Sequence, residues 1–281
     1  MEPGHMRIEE ISPSLNRNEE GFYVSDKAAS VSYSTDGHTE CFGVEDTSFW
    51  FRHRNECIAA LLGRHPFSDG PMLDLGGGNG YVAQRIQADG MEVVLLEPGE
   101  TGARNARIHR HLDHVVCSTV ENAGFQPASF GGIGMFDVIE HIEDDRGFLE
   151  RIAPLLVPGG RLYLSVPCHQ WLWSQADVDA GHFRRHTLDT LEKLLAGLFR
   201  IDYMTYFFKP LVAPQYLVRA LPYQLGIGRD KGMLSTETEH GADNGIAVRI
   251  MHRMLEPEVA AIASGRRIKY GASGLVAATL R

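Results

Sequence analysis

The chain has 281 residues, 43% apolar and 22% charged, long enough to bury the core of one large domain or of a domain carrying a cap. Its 27 Lys and Arg against 36 Asp and Glu leave a net charge of -9, which argues against nucleic acid as the partner, since phosphate binding shows a basic surplus. Cys41, Cys57, Cys117 and Cys168 form no CxxC pair; they read as reduced thiols of a cytoplasmic protein, with neither a disulfide framework nor a thiolate metal site.

Residues 1 to about 45 are polar and aperiodic and predict a loosely held arm, and the opening "MEPGHM" reads as an expression scar ahead of Met6, with no signal peptide. A helix follows, capped by Thr47 or Ser48, with Phe51, Cys57, Ile58, Leu61 and Leu62 on one stripe. Met72 to Leu75 is a short strand, leading into a glycine loop and a helix from about Tyr81 to Ala88. "GMEVVLLEPG" is a second buried strand, then come a helix near Thr101 to Leu112 and a strand at His114 to Cys117. "FGGIGMF" is the fourth strand; "EDDRGFLERIAPLLVPGG" is a helix stopped at Gly159–Gly160, and "RLYLSVP" is the fifth strand. This alternation predicts a mostly parallel sheet with helices on both faces.

Beyond Pro167 the pattern changes. A polar-aromatic segment leads to a helix at Leu188 to Leu198 and a strand near Phe199 to Phe208. An insertion at 209–265 comes next, and Arg266 to Leu280 closes the sheet. The apolar run Tyr203 to Gly226 is broken by Lys209, Pro210, Pro214, Arg219 and Pro222, so no spanning helix is expected there.

The stretch "MLDLGGGNGY" places four glycines in five positions directly after a buried strand. Glycine weakens a strand, so the chain must bend sharply there or meet something at backbone distance. A loop of this kind, opening a helix, binds a nucleotide-like ligand at the carboxyl edge of a sheet. A dinucleotide fingerprint needs a third glycine where Tyr81 stands; the pattern present is Asp74, Gly76, Gly78, Gly80. An acid leading the loop suits an ammonium group and repels a pyrophosphate. Glu97 ends the next strand, 21 residues beyond Gly76, where a carboxylate can accept the protons of two ribose hydroxyls.

Taken together, these residues resemble the class I S-adenosylmethionine-dependent methyltransferases, in the small-molecule group that holds ubiquinone-type and sugar-type enzymes. "LDLGGGNG" resembles the first motif of that family, with Gly77 at the usual cysteine, and "LLEPG" resembles the second. "STVENAGFQPASF", "FDVIEHIED" and "LLVPGGRLYLSVP" are similar to later segments, with Thr119 standing where an aspartate is usual. The resemblance covers roughly residues 48 to 207. It implies a Rossmann-like, seven-stranded, mostly parallel sheet with an N-terminal helical lid and a helical insertion before the last strand. The implied division is an arm and lid helix at 1–65, a cofactor-binding core at 66–208, a cap at 209–265 and a closing strand at 266–281. The cofactor implied is S-adenosyl-L-methionine, with S-adenosyl-L-homocysteine as product. Gly76, Gly77 and Gly78 would face its methionine part and Glu97 its ribose. Thr119 and Val120 would flank the adenine, and Met135, Phe136 and Asp137 would pass the sulfonium. Asp74 is an ammonium partner or a brace for the loop.

Methyl transfer from a sulfonium needs an in-line nucleophile and, for a hydroxyl, a base, for which histidine suits neutral pH. His141, after the fourth strand, and His182, in "DAGHFRRH", are the candidates; packing or capping is the competing role. Arg184 and Arg185, with His186, form a cluster suited to an anionic acceptor or a solvated basic turn. Trp171 and Trp173 are candidate pocket walls, and Trp50, Phe51 and Arg54 candidate lid residues. Asp144, Asp145, Asp177 and Asp179 raise metal-dependent transfer, but a metal-free site is the expectation. The insertion at 209–265 reads as a cap or homodimer contact in preference to a peripheral membrane contact. The expected function is transfer of a methyl group to a small-molecule or glycan/lipid-linked acceptor, at oxygen ahead of nitrogen or carbon. An NAD-dependent oxidoreductase and a non-catalytic cofactor-binding module are the rivals.

Overall fold

Three of the apolar runs are buried along their whole length, which requires cover on both faces of a sheet. A computed structural model of the chain describes residues 6–26, 35–67, 69–227 and 246–281. Its strands are β1 (Asn16–Arg17), β2 (Tyr23–Val24), β3 (Met72–Leu75), β4 (Val93–Leu96), β5 (His114–Cys117), β6 (Phe130–Phe136), β7 (Leu156–Pro167), β8 (Phe199–Phe207) and β9 (Ser273–Leu280). They form one sheet in the order β1-β2-β5-β4-β3-β6-β7-β9-β8. From β2 to β7 all neighbours are parallel, and β9 enters antiparallel between β7 and β8. The two-residue period of a strand splits the core between the faces. Leu73, Leu75, Val94, Leu96 and Ile133 pack on one side; Met72, Val93, Leu95 and Val115 pack on the other.

The order of strands reverses between β3 and β6, since β4 and β5 lie to one side and β6 and β7 to the other. Loops leaving the carboxyl ends of two such strands diverge and open a crevice. The glycine loop leaves β3 at this point.

Within the N-terminal arm, the described residues 6–26 are not loosely held. Residues 6–26 dock on the body, with Ile8 fully buried and Phe22 1% exposed. The arm supplies β1 and β2, and β2 pairs with β5 through Tyr23↔Val116 and Val24↔Cys117, so the sheet has nine strands where seven were expected. The addition covers what would be an open edge at β5. The Tyr23 hydroxyl donates to Glu9, and the Ser12 hydroxyl donates to the Ala123 carbonyl.

Three helix boundaries also differ from expectation. The helix after Glu97 spans only Glu100–Arg104 before widening into a π-turn at Asn105–His109. The helix Asp145–Ile152 stops ahead of Pro154, which lacks the donor to continue it; Leu156 to Gly160 belongs to β7, past an irregular register between Phe130 and Gly132. The helix after Thr187 ends at Leu195, three residues short of the expected Leu198.

The helix Phe49–Arg64 starts at Ser48, whose side chain accepts from the Trp50 amide. Helix Ile246–Ala263 from the insertion packs along it. Buried Glu258 fastens the two, accepting from the Phe208 and Lys209 amides at 2.7 and 2.8 Å and meeting His53 Nε2 at 2.9 Å. The described part of the insertion therefore packs on the helix Phe49–Arg64; the expected cap also covers 228–245, which lie outside the described residues. Among the described residues no helix is long and apolar enough to cross a membrane.

The docked arm is open to test. Phe22→Ala is expected to lower stability by about 3–5 kcal/mol, the scale of a buried Phe truncation, measured from the urea midpoint. An unattached arm would give under about 0.5 kcal/mol.

Candidate active site

The turn after β3 is built from main chain. Gly76 and Gly78 have φ of +70° and +55°, in the left-handed region open to glycine. A Cβ at Gly76 would lie 2.9 Å from Val138 Cγ2, while one at Gly78 would meet nothing within 4 Å. The loop is thus pressed against its own fold on one side and open on the other. Gly77 sits over Asp74, since a Cβ there would fall 2.7 Å from Asp74 Oδ2.

Glu97 ends β4 and turns toward this loop. Its Oε2 accepts from the Gly78 amide at 3.0 Å, and its Oε1 accepts from the Gly99 amide at 2.7 Å. One buried carboxylate ties the two loops that follow β3 and β4. Asp74 is fully enclosed, with no partner for Oδ2 among the described residues. Burial is the largest influence on it; Arg54 opposes and Glu97 reinforces the effect, and the outcome is a carboxyl pushed up to about 7.

The third wall comes from β6 and the lid helix. Met135 is fully buried and packs in the core, and Phe136 is 5% exposed on the opposite face. Of the three residues expected to pass the sulfonium, Asp137 alone stands at the strand exit, with φ of +58°. Arg54 reaches it with Nε 2.7 Å from Oδ2 and donates through Nη2 to the Phe136 carbonyl. Its guanidinium also lies over the Trp50 ring, which stacks on Phe208 at 5.5 Å. Arg54 thus links the helix Phe49–Arg64 to the exit of β6 and, through Trp50, lies near Phe208. Thr119 is extended backbone leading into the short helix Val120–Ala123, beyond β5; both residues are partly exposed.

The two expected histidines, 41 positions apart in the chain, come together. The His141 and His182 rings are edge to face with centroids 4.6 Å apart. His182 Nδ1 lies 3.0 Å from Asp177 Oδ1; a carboxylate only accepts, so Nδ1 carries the proton. Asp177 is buried, and burial works against its charge. The bonds from His182 and Arg185 outweigh that and hold it down at about 2. Burial, then the neighbouring His182, pushes His141 down to about 4, with the Ala180 carbonyl accepting from its ring. At neutral pH His141 is uncharged and a weak base. Beside it Glu140 is completely buried, and burial together with Asp137 pushes its carboxyl well above the usual range.

The basic cluster, expected as an anion site or a solvated turn, is engaged in internal pairs. Arg185 forms a bidentate pair with Asp177 at 2.7 and 2.9 Å, and Arg184 binds Asp145 and the Glu143 carbonyl. His186 is 3% exposed. An open cavity of about 550 Å³ lies on this turn, lined by Asp145, Arg146, Arg184 and Lys193 among others, and shares no lining residue with the glycine loop. The four acids suspected of holding a metal do not assemble: Asp144 caps a helix, Asp145 pairs with Arg184, Asp177 with Arg185, and Asp179 accepts from Gln175. Trp171 is 42% exposed and meets Tyr216 edge-on at 5.6 Å, while Trp173 is half-buried. Sequence reading took Asp177 only as one of four candidate metal acids and gave Glu140 no place in the site. Asp177 has only its spacing from His182 to betray it, and Glu140 only its place beside His141.

Comparison with known proteins supplies the family. The model of a family described as a methyltransferase domain matches residues 50–198. A ubiquinone biosynthesis O-methyltransferase of Xylella fastidiosa is 29% identical over 108 residues, covering 37% of this chain and 44% of the relative. That of Xanthomonas euvesicatoria is 30% identical over 100 residues, covering 34% and 42%. The chain thus spans less than half the length of these curated relatives. Among solved structures, phosphoethanolamine N-methyltransferase 2 of Haemonchus contortus, in complex with S-adenosyl-L-methionine, superposes with a TM-score of 0.53 at 20% identity, over 86% of this chain and 57% of that one. A SAM-dependent methyltransferase of Thermotoga maritima gives 0.53 at 17% identity, over 87% and 99%. These two likenesses establish a shared fold. With more than half of its length matched by the family model, the chain belongs to the methyltransferase domain family.

Proposed function

We propose that the chain transfers the methyl group of S-adenosyl-L-methionine to an oxygen of a small-molecule acceptor. The observation that carries this reading is the open face of the loop at Gly78, braced by a carboxylate one strand away. Glu97, whose oxygens accept the Gly78 and Gly99 amides, is the group for the ribose hydroxyls. Thr119 and Val120 lie beyond β5 for the adenine. Asp74, beneath Gly77, is the partner for the cofactor's ammonium group, and Arg54 supplies the cation for its carboxylate. The main chain at Asp137 borders the sulfonium, whereas Met135 serves the core. The cofactor brings the activated methyl group, so the protein's work is to place it, exclude water and handle the acceptor proton.

His141 and His182 are the groups that meet the acceptor oxygen, with Trp171 and Trp173 beside the entrance. Oxygen is preferred as the target because the matched curated relatives are named O-methyltransferases. Leu217, Val218, Leu225 and Ile227 on the insertion are exposed apolar side chains around this side, which suits a hydrophobic acceptor or contact with a second subunit. All four cysteines are free, in keeping with a cytoplasmic location. Tyr81, at the third glycine position of a dinucleotide loop, disfavours a nicotinamide cofactor.

Calorimetry with S-adenosylhomocysteine and NADH tests the cofactor. Binding of the first without the second is expected, and the reverse overturns the reading. Glu97→Ala should weaken S-adenosylhomocysteine binding by about 1.5–3 kcal/mol, the scale of a hydrogen bond to a charged group.

The Asp74 assignment predicts a proton linkage. With its carboxyl at about 7 in the free protein, Asp74 is mostly protonated at pH 6, and an ammonium neighbour favours the ionised form. Cofactor binding should therefore release close to one proton at pH 6 and little at pH 8, with affinity rising between them. Titration in two buffers of different ionisation enthalpy reads this directly. Asp74→Asn should abolish the release; unchanged release in that variant would remove Asp74 from the ammonium site.

For the acceptor half, His141→Ala and His182→Ala should each cut methyl transfer to a panel of hydroxylated aromatic compounds at least 100-fold. S-adenosylhomocysteine affinity should stay within about twofold. Wild-type turnover in both variants would move the acceptor elsewhere.

A further inference from the structure

We propose that Glu140, His141 and His182 form a binding site for a single transition-metal dication. One ligand atom from each of the three lies within 4.8 Å of the others. Donors held at ~2.1 Å from a common ion stand roughly 3–4 Å apart, so the cluster needs only a small contraction to close on one. Glu140 and His141 come from the single turn Ile139–His141 at the exit of β6. His182 is delivered beside them by the turn after helix Gln175–Asp179, fixed by the bond from the Phe183 amide to the Glu140 carbonyl.

A second observation points to a ligand independently. Glu140 has no solvent exposure, and neither carboxylate oxygen has a hydrogen-bond partner among the described residues. A buried carboxylate without a partner is costly, and native folds rarely keep one unless something else satisfies it. The nearby cations do not do so, because Arg54 is engaged by Asp137 and Arg185 by Asp177. Both histidines also carry the supports typical of metal ligands. Asp177 accepts from His182 Nδ1, and the Ala180 carbonyl accepts from the His141 ring. Asp177 is itself held by Arg185 and by the Ser174 amide at 2.9 Å, so it orients a ligand and is not one.

One carboxylate and two imidazoles suit Mn²⁺, Fe²⁺, Co²⁺ or Zn²⁺ better than Mg²⁺ or Ca²⁺, which favour oxygen. Three protein ligands leave positions open for oxygen donors from outside. On the methyl-transfer reading, which this use of the site rests on, they are oxygens of the acceptor. An acceptor bearing adjacent hydroxyl groups is the class that would be selected.

The test uses the full chain stripped with a chelator and titrated with Zn²⁺, Mn²⁺ and Mg²⁺ in the absence of cofactor and acceptor. One equivalent of Zn²⁺ or Mn²⁺ is expected, with Zn²⁺ at least tenfold tighter than Mg²⁺. Glu140→Gln and His182→Ala should each weaken Zn²⁺ binding at least tenfold, whereas Asp144→Asn, at an exposed helix cap, should leave it unchanged. Absence of stoichiometric uptake by the wild type, or undiminished uptake in both ligand variants, overturns the proposal. If those variants lose near-ultraviolet circular dichroism, the visible spectrum of Co²⁺ added to the wild type decides. Bands of a protein-ligated ion support the site, and the spectrum of the hydrated ion rejects it. S-adenosylhomocysteine binding is measured separately on the same samples. Its failure would sink the methyl-transfer reading and leave the metal result standing.

Discussion

Glu97 is where the molecule's architecture and its chemistry meet. A turn made of glycine has few side chains to hold it, and its backbone entropy works against a single shape. The two amides that Glu97 accepts, from Gly78 and from Gly99, hold the loops after β3 and β4 relative to one another. Hydrogen bonds to an ionised group are about twice as strong as neutral ones, and this one is buried. The rest of the crevice is assembled around a frame that carboxylate keeps still: β6 presses Val138 against Gly76, and the lid helix lays Arg54 across the strand exit.

Part of this frame is legible in the sequence because it is local. The run Met72–Leu75, the glycines after it and Glu97 at the end of the next strand stand within one βαβ unit, and their periods and punctuation survive without tertiary context. The fourth strand reads correctly for the same reason. The N-terminal arm does not, since Ile8, Leu15, Phe22 and Tyr23 are buried at irregular intervals among polar residues. Such anchors follow neither helical nor strand spacing. "LLVPGG" misleads in another way: Leu155 and Leu156 continue an apolar helical stripe, yet the helix stops ahead of Pro154, Leu155 closes a 3-10 turn and Leu156 starts β7.

The site's acceptor side was half visible. His141 and His182 stand out as histidines near strand exits, but their meeting depends on how the 40 intervening residues fold, and no local signal reports it. Arg184 and Arg185 mislead because a basic run in a sequence hides its partners. Asp145 lies 39 residues from Arg184, while Asp177, eight residues before Arg185, looked like one more acid in a polar loop. A charge run carries functional meaning only once the residues that neutralise it are known.

That pairing also separates structural charges from functional ones. Buried Arg110 pairs with Glu45 and Asp46, and Arg185 pairs with Asp177. Among the described residues three carboxyls keep buried oxygens without a hydrogen-bond partner: Asp137 Oδ2, which lies against Arg54, Asp74 Oδ2, and both oxygens of Glu140; Asp74 and Glu140 have no cation paired with them. A fold selected for stability alone would replace such groups with apolar ones at little cost or with gain. Both occur at the walls of the same crevice, one under the glycine loop and one beside the paired histidines. Their desolvation lowers the stability of the free protein, and a positively charged ligand at either point would recover it. On the proposed reading, these two unpartnered carboxyls mark where cations bind: an ammonium group over Asp74 and a metal ion against Glu140.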